Sequence, residues 1–299
     1  MFRDKDYLLT DEGLIFNVLG DQHTAGLVTA GLKYTQGKKW QDTYVAAMAY
    51  LQKSFPQFVT DRIVVPVDKI QQHLKPLKRT RQLLAQRDSQ PPRLAQAIDL
   101  IEILAEHCEV PSSEIGLTDS LLWGEGNDNS DIDLVIYGQT VINQFLAKKE
   151  ALFQFEDILE IDPAHIQRPP FINDRTFQTI ANRKGNQGTY RGTRFTIRGV
   201  LTDEEILFAT ERTSPFQATE SMKLEWEMEI TGRSESLFFP IAYETSEAVP
   251  LVTYHVGYEM GFQPGDKVRV AGTMETSGEL QRLLVGSLSG KQEFIQLVD

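Results

Sequence analysis

Residues 130–138 read Ser-Asp-Ile-Asp-Leu-Val-Ile-Tyr-Gly, and this stretch constrains the fold most. Two aspartates flank one isoleucine, and four apolar residues follow before a glycine. An apolar run of that length bounded by turn residues predicts a buried strand. Side chains alternate across a strand, so Asp131 and Asp133 share one face while Ile132 and Leu134 take the opposite, core-facing one. Two carboxylates on one strand face repel each other unless a cation sits between them. The ion that suits them is Mg²⁺ or Mn²⁺, hard cations that take carboxylate oxygens and keep positions open for phosphate. A second such triplet, Asp4-Lys5-Asp6, lies near the N-terminus, where no chemistry is expected. The triplet alone is therefore close to background, and its surroundings carry the argument.

Upstream, residues 115–118 predict a short strand, Ser120 follows it, and residues 121–123 fit a helical turn. Residues 124–130 are rich in Gly and Asn and lead into the carboxylate strand. Strand, small-residue turn, helix start, loop and carboxylate strand is an order that can hold a nucleoside triphosphate. Backbone N–H groups and a hydroxyl at the turn meet the phosphates, and the carboxylates meet the metal ions bridging them.

On these residues the chain resembles the nucleotidyltransferase superfamily with the polymerase-beta-like palm. That pattern is Gly-Ser, about ten residues, then Asp-hydrophobic-Asp on a strand. Ser120, Asp131 and Asp133 fall on its serine and its two metal-binding carboxylates. One position departs, because Asp119 stands where the pattern has glycine. Glycine there lets backbone approach phosphate closely, whereas an aspartate adds a side chain and a negative charge. The whole order also resembles a family of uncharacterised predicted nucleotidyltransferases found mainly in archaea, through Arg3-Asp4 with residues 10–16, residues 116–138, 184–198 and 239–272. The resemblance implies an α+β fold, a palm-type mixed sheet with helices. It implies transfer of a nucleotidyl group from an NTP to an acceptor that is a protein, an RNA or a small molecule. It also implies a third carboxylate on a later strand. Asp203 is the preferred candidate, with Asp157, Glu160 and Asp162 as alternatives.

Lys184 and Arg191 are the expected phosphate contacts. They sit in a basic, glycine-punctuated stretch, 180–198, that reads as a flexible loop leading to a strand at 194–201. The alternative there is a solvated hairpin.

The rest of the chain frames this centre. Glycine-bounded apolar runs at 13–20 and 26–34 predict a hairpin, with His23 as a surface histidine in its turn. Helical spacing follows at 40–54, then a strand at 61–67 and a basic helix from Asp68 onward. Residues 92–107 and 141–155 predict amphipathic helices. Alternating runs with regular glycines after residue 213 predict a small all-β, OB-like barrel or a sandwich. The expected domains are therefore 1–90 (hairpin and helices), 91–212 (palm) and 213–299 (all-β).

Charge and composition limit the partners. The 299 residues carry a formal charge of −12, which disfavours indiscriminate binding to nucleic acid or anionic membrane. The charge is uneven, since residues 69–87 hold Lys69, Lys75, Lys78, Arg79, Arg81 and Arg87 without an acid. That stripe fits a polyanion contact or a solvated helix face paired with the protein's own acids. A single cysteine, Cys108, among apolar neighbours reads as a buried thiol. No apolar run reaches membrane-spanning length and no signal segment is visible, so a cytoplasmic protein without a membrane partner is expected. Two other readings stand beside the enzyme: a palm-fold binding module without chemistry, and a nucleic-acid-binding scaffold.

Overall fold

The computed structural model describes residues 1–21, 23–124, 130–208, 216, 218–286 and 292–298. Among them the fold is mixed α+β, with seven α-helices and several sheets. The chain forms two compact units, residues 1–141 with 200–215, and 142–199 with 216–299.

The first unit opens with β1 (Tyr7–Thr10), β2 (Leu14–Val18) and β3 (Leu27–Thr35). β2 and β3 are the expected hairpin, antiparallel with Phe16 opposite Leu32. The short β4 (Lys38–Lys39) follows, then α1 (Tyr44–Ser54), β5 (Val64–Pro66) and β6 (Ile70–Leu74). The sheet order is β4-β3-β2-β1-β6, with β5 on β3. Thr43 caps α1 by accepting from the Ala46 N–H at 3.1 Å. Helix α1 lays Ala47 and Leu51 on Leu8, Phe16 and Ala30 to close an apolar core. The basic helix expected from Asp68 begins later. Residues 70–74 pair with β1 instead, and α2 (Pro76–Ala85) starts at a proline, which is pre-set for a first helical turn.

Helix α3 (Pro92–His107) ends at Cys108, which is fully buried. β7 (Ile115–Leu117), α4 (Ser120–Trp123) and β8 (Ile132–Tyr137) follow. β7 is the outer strand of its sheet and pairs with β8. Its free edge is covered by α2, where Thr80 Oγ1 accepts from the Leu117 N–H at 2.8 Å. Residue 90 is not a division between units. Tyr7 and Ile15 of the first sheet share a small core with Leu122 of α4, flanked by Tyr34, Leu74 and Trp123.

Helix α5 (Gln139–Lys148) is followed by β9 (Ile158–Glu160), α6 (Asp174–Asn182), β10 (Gln187–Tyr190) and β11 (Thr193–Val200). α7 (Asp203–Phe208) belongs again to the first unit. The expected boundary at residue 213 lies outside the described residues.

The second unit carries β12 (Glu220–Gly232), β13 (Ile241–Thr245), β14 (Leu251–Thr253), β15 (Lys267–Ser277), β16 (Leu280–Val285) and β17 (Phe294–Leu297). The first five close into a barrel in the order β12-β13-β14-β16-β15, with β15 returning to β12 and β17 added beside β15. β14 and β16 run parallel, whereas β12–β13, β13–β14, β15–β16 and β12–β15 are antiparallel. Met228, Ile230, Val268, Val270 and Leu283 alternate inward and fill it. Exposed Glu227 and Glu229 stand opposite Arg269 and Lys267, so the outer face of β12 carries matched charges.

The contact of α2 with β7 depends on Gly116. A Cβ there would lie 2.5 Å from the Pro76 Cβ and 2.9 Å from a Val135 methyl. Gly116→Ala is expected to lose about 1–3 kcal/mol by overpacking, read as a lower denaturation midpoint at unchanged m-value.

Candidate functional site

The site is built where β7 ends beside the start of β8. Leu117 pairs with Leu134, and the ladder continues one step as the Thr118 N–H donates to the Asp133 carbonyl at 2.9 Å. The residues that turn the chain, Asp119 and Ser120, therefore leave the sheet next to the carboxylate pair. Asp119 has φ +51° and ψ −138°, a left-handed conformation that favours glycine. The aspartate thus keeps the backbone that the glycine of the sequence pattern would adopt, at a cost on the order of 1–3 kcal/mol.

Its side chain explains how that cost is tolerated. The Tyr7 hydroxyl of β1 donates to Asp119 Oδ1, and Lys33 Nζ of β3 lies 3.2 Å from the same oxygen. Tyr7 is buried, and burial first, then the charges of Asp119 and Asp133, holds its ionisation well above the usual phenol range. It therefore stays a proton donor. The charge expected to oppose phosphate is instead met by a phenol and an ammonium from the N-terminal sheet. Sequence reading missed Tyr7 and Lys33 because nothing in their spacing connects them to residue 119.

The carboxylate strand follows the predicted alternation. Asp131 and Asp133 are half-buried, whereas Ile132 and Leu134 are buried. Residues 125–129 of the connecting loop lie outside the described residues. Trp123, at the end of α4, packs edge-on to Tyr34 with ring centroids 4.5 Å apart. Among the described residues there is no group of three or more His, Cys, Asp or Glu arranged to hold a metal ion.

The third carboxylate is not where Asp203 was expected to supply it. Both Asp203 oxygens are taken by the Arg3 guanidinium, at 2.8 and 2.5 Å, and this pair holds the carboxyl below its ordinary range. Arg3 also stacks on Tyr137, four residues beyond Asp133 and so roughly 13 Å along the strand. Asp203 belongs to the opposite end of β8.

In the second unit, Lys184 is not on a flexible loop. It follows α6 and is 4% exposed, with Nζ donating to the Val256 carbonyl at 3.4 Å. Burial pushes its ammonium down to about 8, against the opposing field of Glu259. A side chain packed this way has no open path to a phosphate, which corrects the expected role. Arg191 is the exposed turn residue of the β10–β11 hairpin. It pairs with Asp157 at 3.0 Å and lies over the Tyr190 ring. Asp162 caps the turn that follows it by accepting from the Ala164 N–H at 2.8 Å.

The N-terminal triplet set aside as background is buried. Asp4, Lys5 and Asp6 are at most 8% exposed. Asp6 Oδ2 meets His73 Nε2 at 2.6 Å, and the Asp4 N–H donates to Asp21 Oδ1 at 2.9 Å. Burial, then the adjoining Asp4, pushes the Asp21 carboxyl up to about 7. His23, expected at the surface, is half-buried. Its ring lies between the Phe2 carbonyl and the Thr29 N–H, and burial lowers it to about 4.

No family model, curated protein or solved structure matches this chain.

Two outcomes test this geometry. Tyr7→Phe removes the donor to a strained carboxylate and is expected to cost about 1–3 kcal/mol, measured by chemical denaturation. Asp21 rises from about 3.9 in an unfolded chain to about 7 in the fold. Its contribution to stability is thus full below the lower value and lost as pH rises through the upper one. Asp21→Asn keeps the acceptor for Asp4 and should flatten the stability profile between those pH values by on the order of 4 kcal/mol.

Proposed function

We propose that the protein is a nucleotidyltransferase of the palm type, moving an NMP group from an NTP to an acceptor hydroxyl or other nucleophile. The observation that carries this reading is the hydrogen bond between Thr118 and Asp133. It sets the glycine-type turn at Asp119 and Ser120 against two half-buried carboxylates on one strand face. The donor set fits Mg²⁺ or Mn²⁺: Asp131 and Asp133 offer hard oxygens and are partly open to solvent, Asp133 on β8 and Asp131 just before it. When bound, the metal supplies neutralisation of phosphate charge and a template for in-line attack at the α-phosphate.

The chain's own residues divide the remaining tasks. Asp131 and Asp133 anchor the phosphate end. Ser120 and the backbone at the head of α4 face the outer phosphates. Tyr7 and Lys33 hold the Asp119 turn in the conformation that lets backbone approach them. Lys33 is 36% exposed at its side chain and already bound to Asp119, so it offsets local negative charge before substrate arrives. Ile132 and Leu134 fix the strand in the core, which keeps the carboxylates from moving apart.

The closed barrel is proposed to be OB-like. Its strand order, with β14 parallel to β16 and β15 returning to β12, supports that reading. The competing function is a binding module without chemistry, which Asp119 in place of glycine favours. A cytoplasmic setting is proposed on the same footing; among the described residues no helix is long and apolar enough to cross a membrane.

Metal-dependent pyrophosphate release from NTPs, with cell extract as acceptor source, tests the proposal. Asp131→Asn and Asp133→Asn are each expected to lower turnover by at least about a hundredfold while the thermal midpoint holds. Equal activity in both variants and the wild type would remove the metal role. NTP binding without turnover in any form would favour the binding module.

A further inference from the structure

The basic stripe read in the sequence is split by the fold. Lys69 precedes β6, Lys75 immediately precedes α2, and Lys78 and Arg81 lie on α2. The buried residues of α2 are Pro76, Thr80 and Leu83. At 100° per residue these cluster on one side, and Lys75, Lys78, Arg81 and Gln82 fall on the other. All four of those, with Lys69, Gln71 and Gln72, are exposed.

The protein's own acids do not cover this face. Arg87, beyond the end of α2, pairs with Asp99 and Glu102. Among the described residues, by contrast, no ion pair engages the side chains of Lys69, Lys75, Lys78 or Arg81. Lys75 lies within the field of Asp6 and Asp203, but His73 and Arg3 already hold those two carboxylates. The acidic row on the outer face of β12 has its own cations in Lys267 and Arg269. A chain of net charge −12 therefore presents unmatched cations in one place.

We propose that the outward face of α2, with Lys75 at its start, docks the phosphodiester backbone of a nucleic acid. From Lys75 to Arg81 the helix rises roughly 9 Å, the length of two to three stacked nucleotides at roughly 3.4 Å each. Gln82 adds a neutral donor and acceptor suited to sugars and base edges. A membrane surface fits less well, because Val67 is the one large exposed apolar side chain between residues 67 and 87, and interfacial binding needs an apolar face. The proposal is independent of nucleotidyl transfer, since it requires neither Asp131 nor Asp133.

Fluorescence anisotropy of the full chain with a labelled single-stranded RNA of about 20 nucleotides tests it. Affinity is expected to fall with salt between about 50 and about 200 mM, with a log–log slope near −2 to −3. Charge reversal at Lys75, Lys78 and Arg81 together should weaken binding at least about tenfold and reduce the slope by about 2. Alanine at the same positions should act in the same direction, and Lys267→Glu with Arg269→Glu on the barrel should leave RNA affinity unchanged. Asp131→Asn should also bind RNA as the wild type does, which separates this result from the transferase assay. Three results would overturn the proposal: no RNA binding at low salt, equal binding by wild type and the α2 variants, or loss of affinity only in the barrel variant. Binding to phosphatidylserine vesicles but not RNA, abolished by the α2 changes, would assign the face to membrane instead.

Discussion

A single carboxylate oxygen joins the N-terminal sheet to the turn of the candidate site. Asp119 Oδ1 receives the Tyr7 hydroxyl and faces the Lys33 ammonium, while its own backbone sits in a conformation that L-residues avoid. An aspartate in that position without partners would combine strain with an unmatched, partly buried charge, and each alone is costly. With them, the side chain that departs from the sequence pattern becomes the link between two sheets. The departure and the N-terminal strands therefore have to be understood together.

Local pattern made some of this legible and left the rest hidden. The run from Ile132 to Tyr137 could be read as a strand because its periodicity is local, and the burial of Ile132 and Leu134 follows the same alternation. The β2–β3 hairpin was visible for the same reason. The all-β character of the C-terminal region was readable from its alternation and glycines, but the barrel's closure depends on β12 meeting β15 about forty residues later, which no window of sequence contains. Residues 70–74 read as helix because Asp68 offered a cap and the basic residues Lys69 and Lys75 flank them. The free edge of β1 claimed them as strand, a tertiary choice that overrides local preference. Asp4 and Asp6 looked like terminal surface charge, yet backbone and side-chain partners from Asp21 and His73 allow them to be buried. Asp203 and Lys184, expected at the site from sequence, each have a partner that no local pattern announces: Arg3 for one, the Val256 carbonyl for the other.

The electrostatic pattern of the first unit is a division of labour among charges. Buried carboxylates near the N-terminus are held by amides and His73, and the strand carboxylates stand half-open. Arg3 is committed to Asp203, and Lys78 and Arg81 of α2 are exposed.

Helix α2 has one more consequence. It closes the open edge of β7 with Thr80 and Pro76, and it displays its lysines from the opposite surface. The residues that keep the helix in place are thus not the ones a partner would touch. Mutational drift can rewrite the outer surface, changing which polyanions are attracted and how tightly, while the sheet beneath registers nothing. Such a helix behaves as an exchangeable label on a fixed mount.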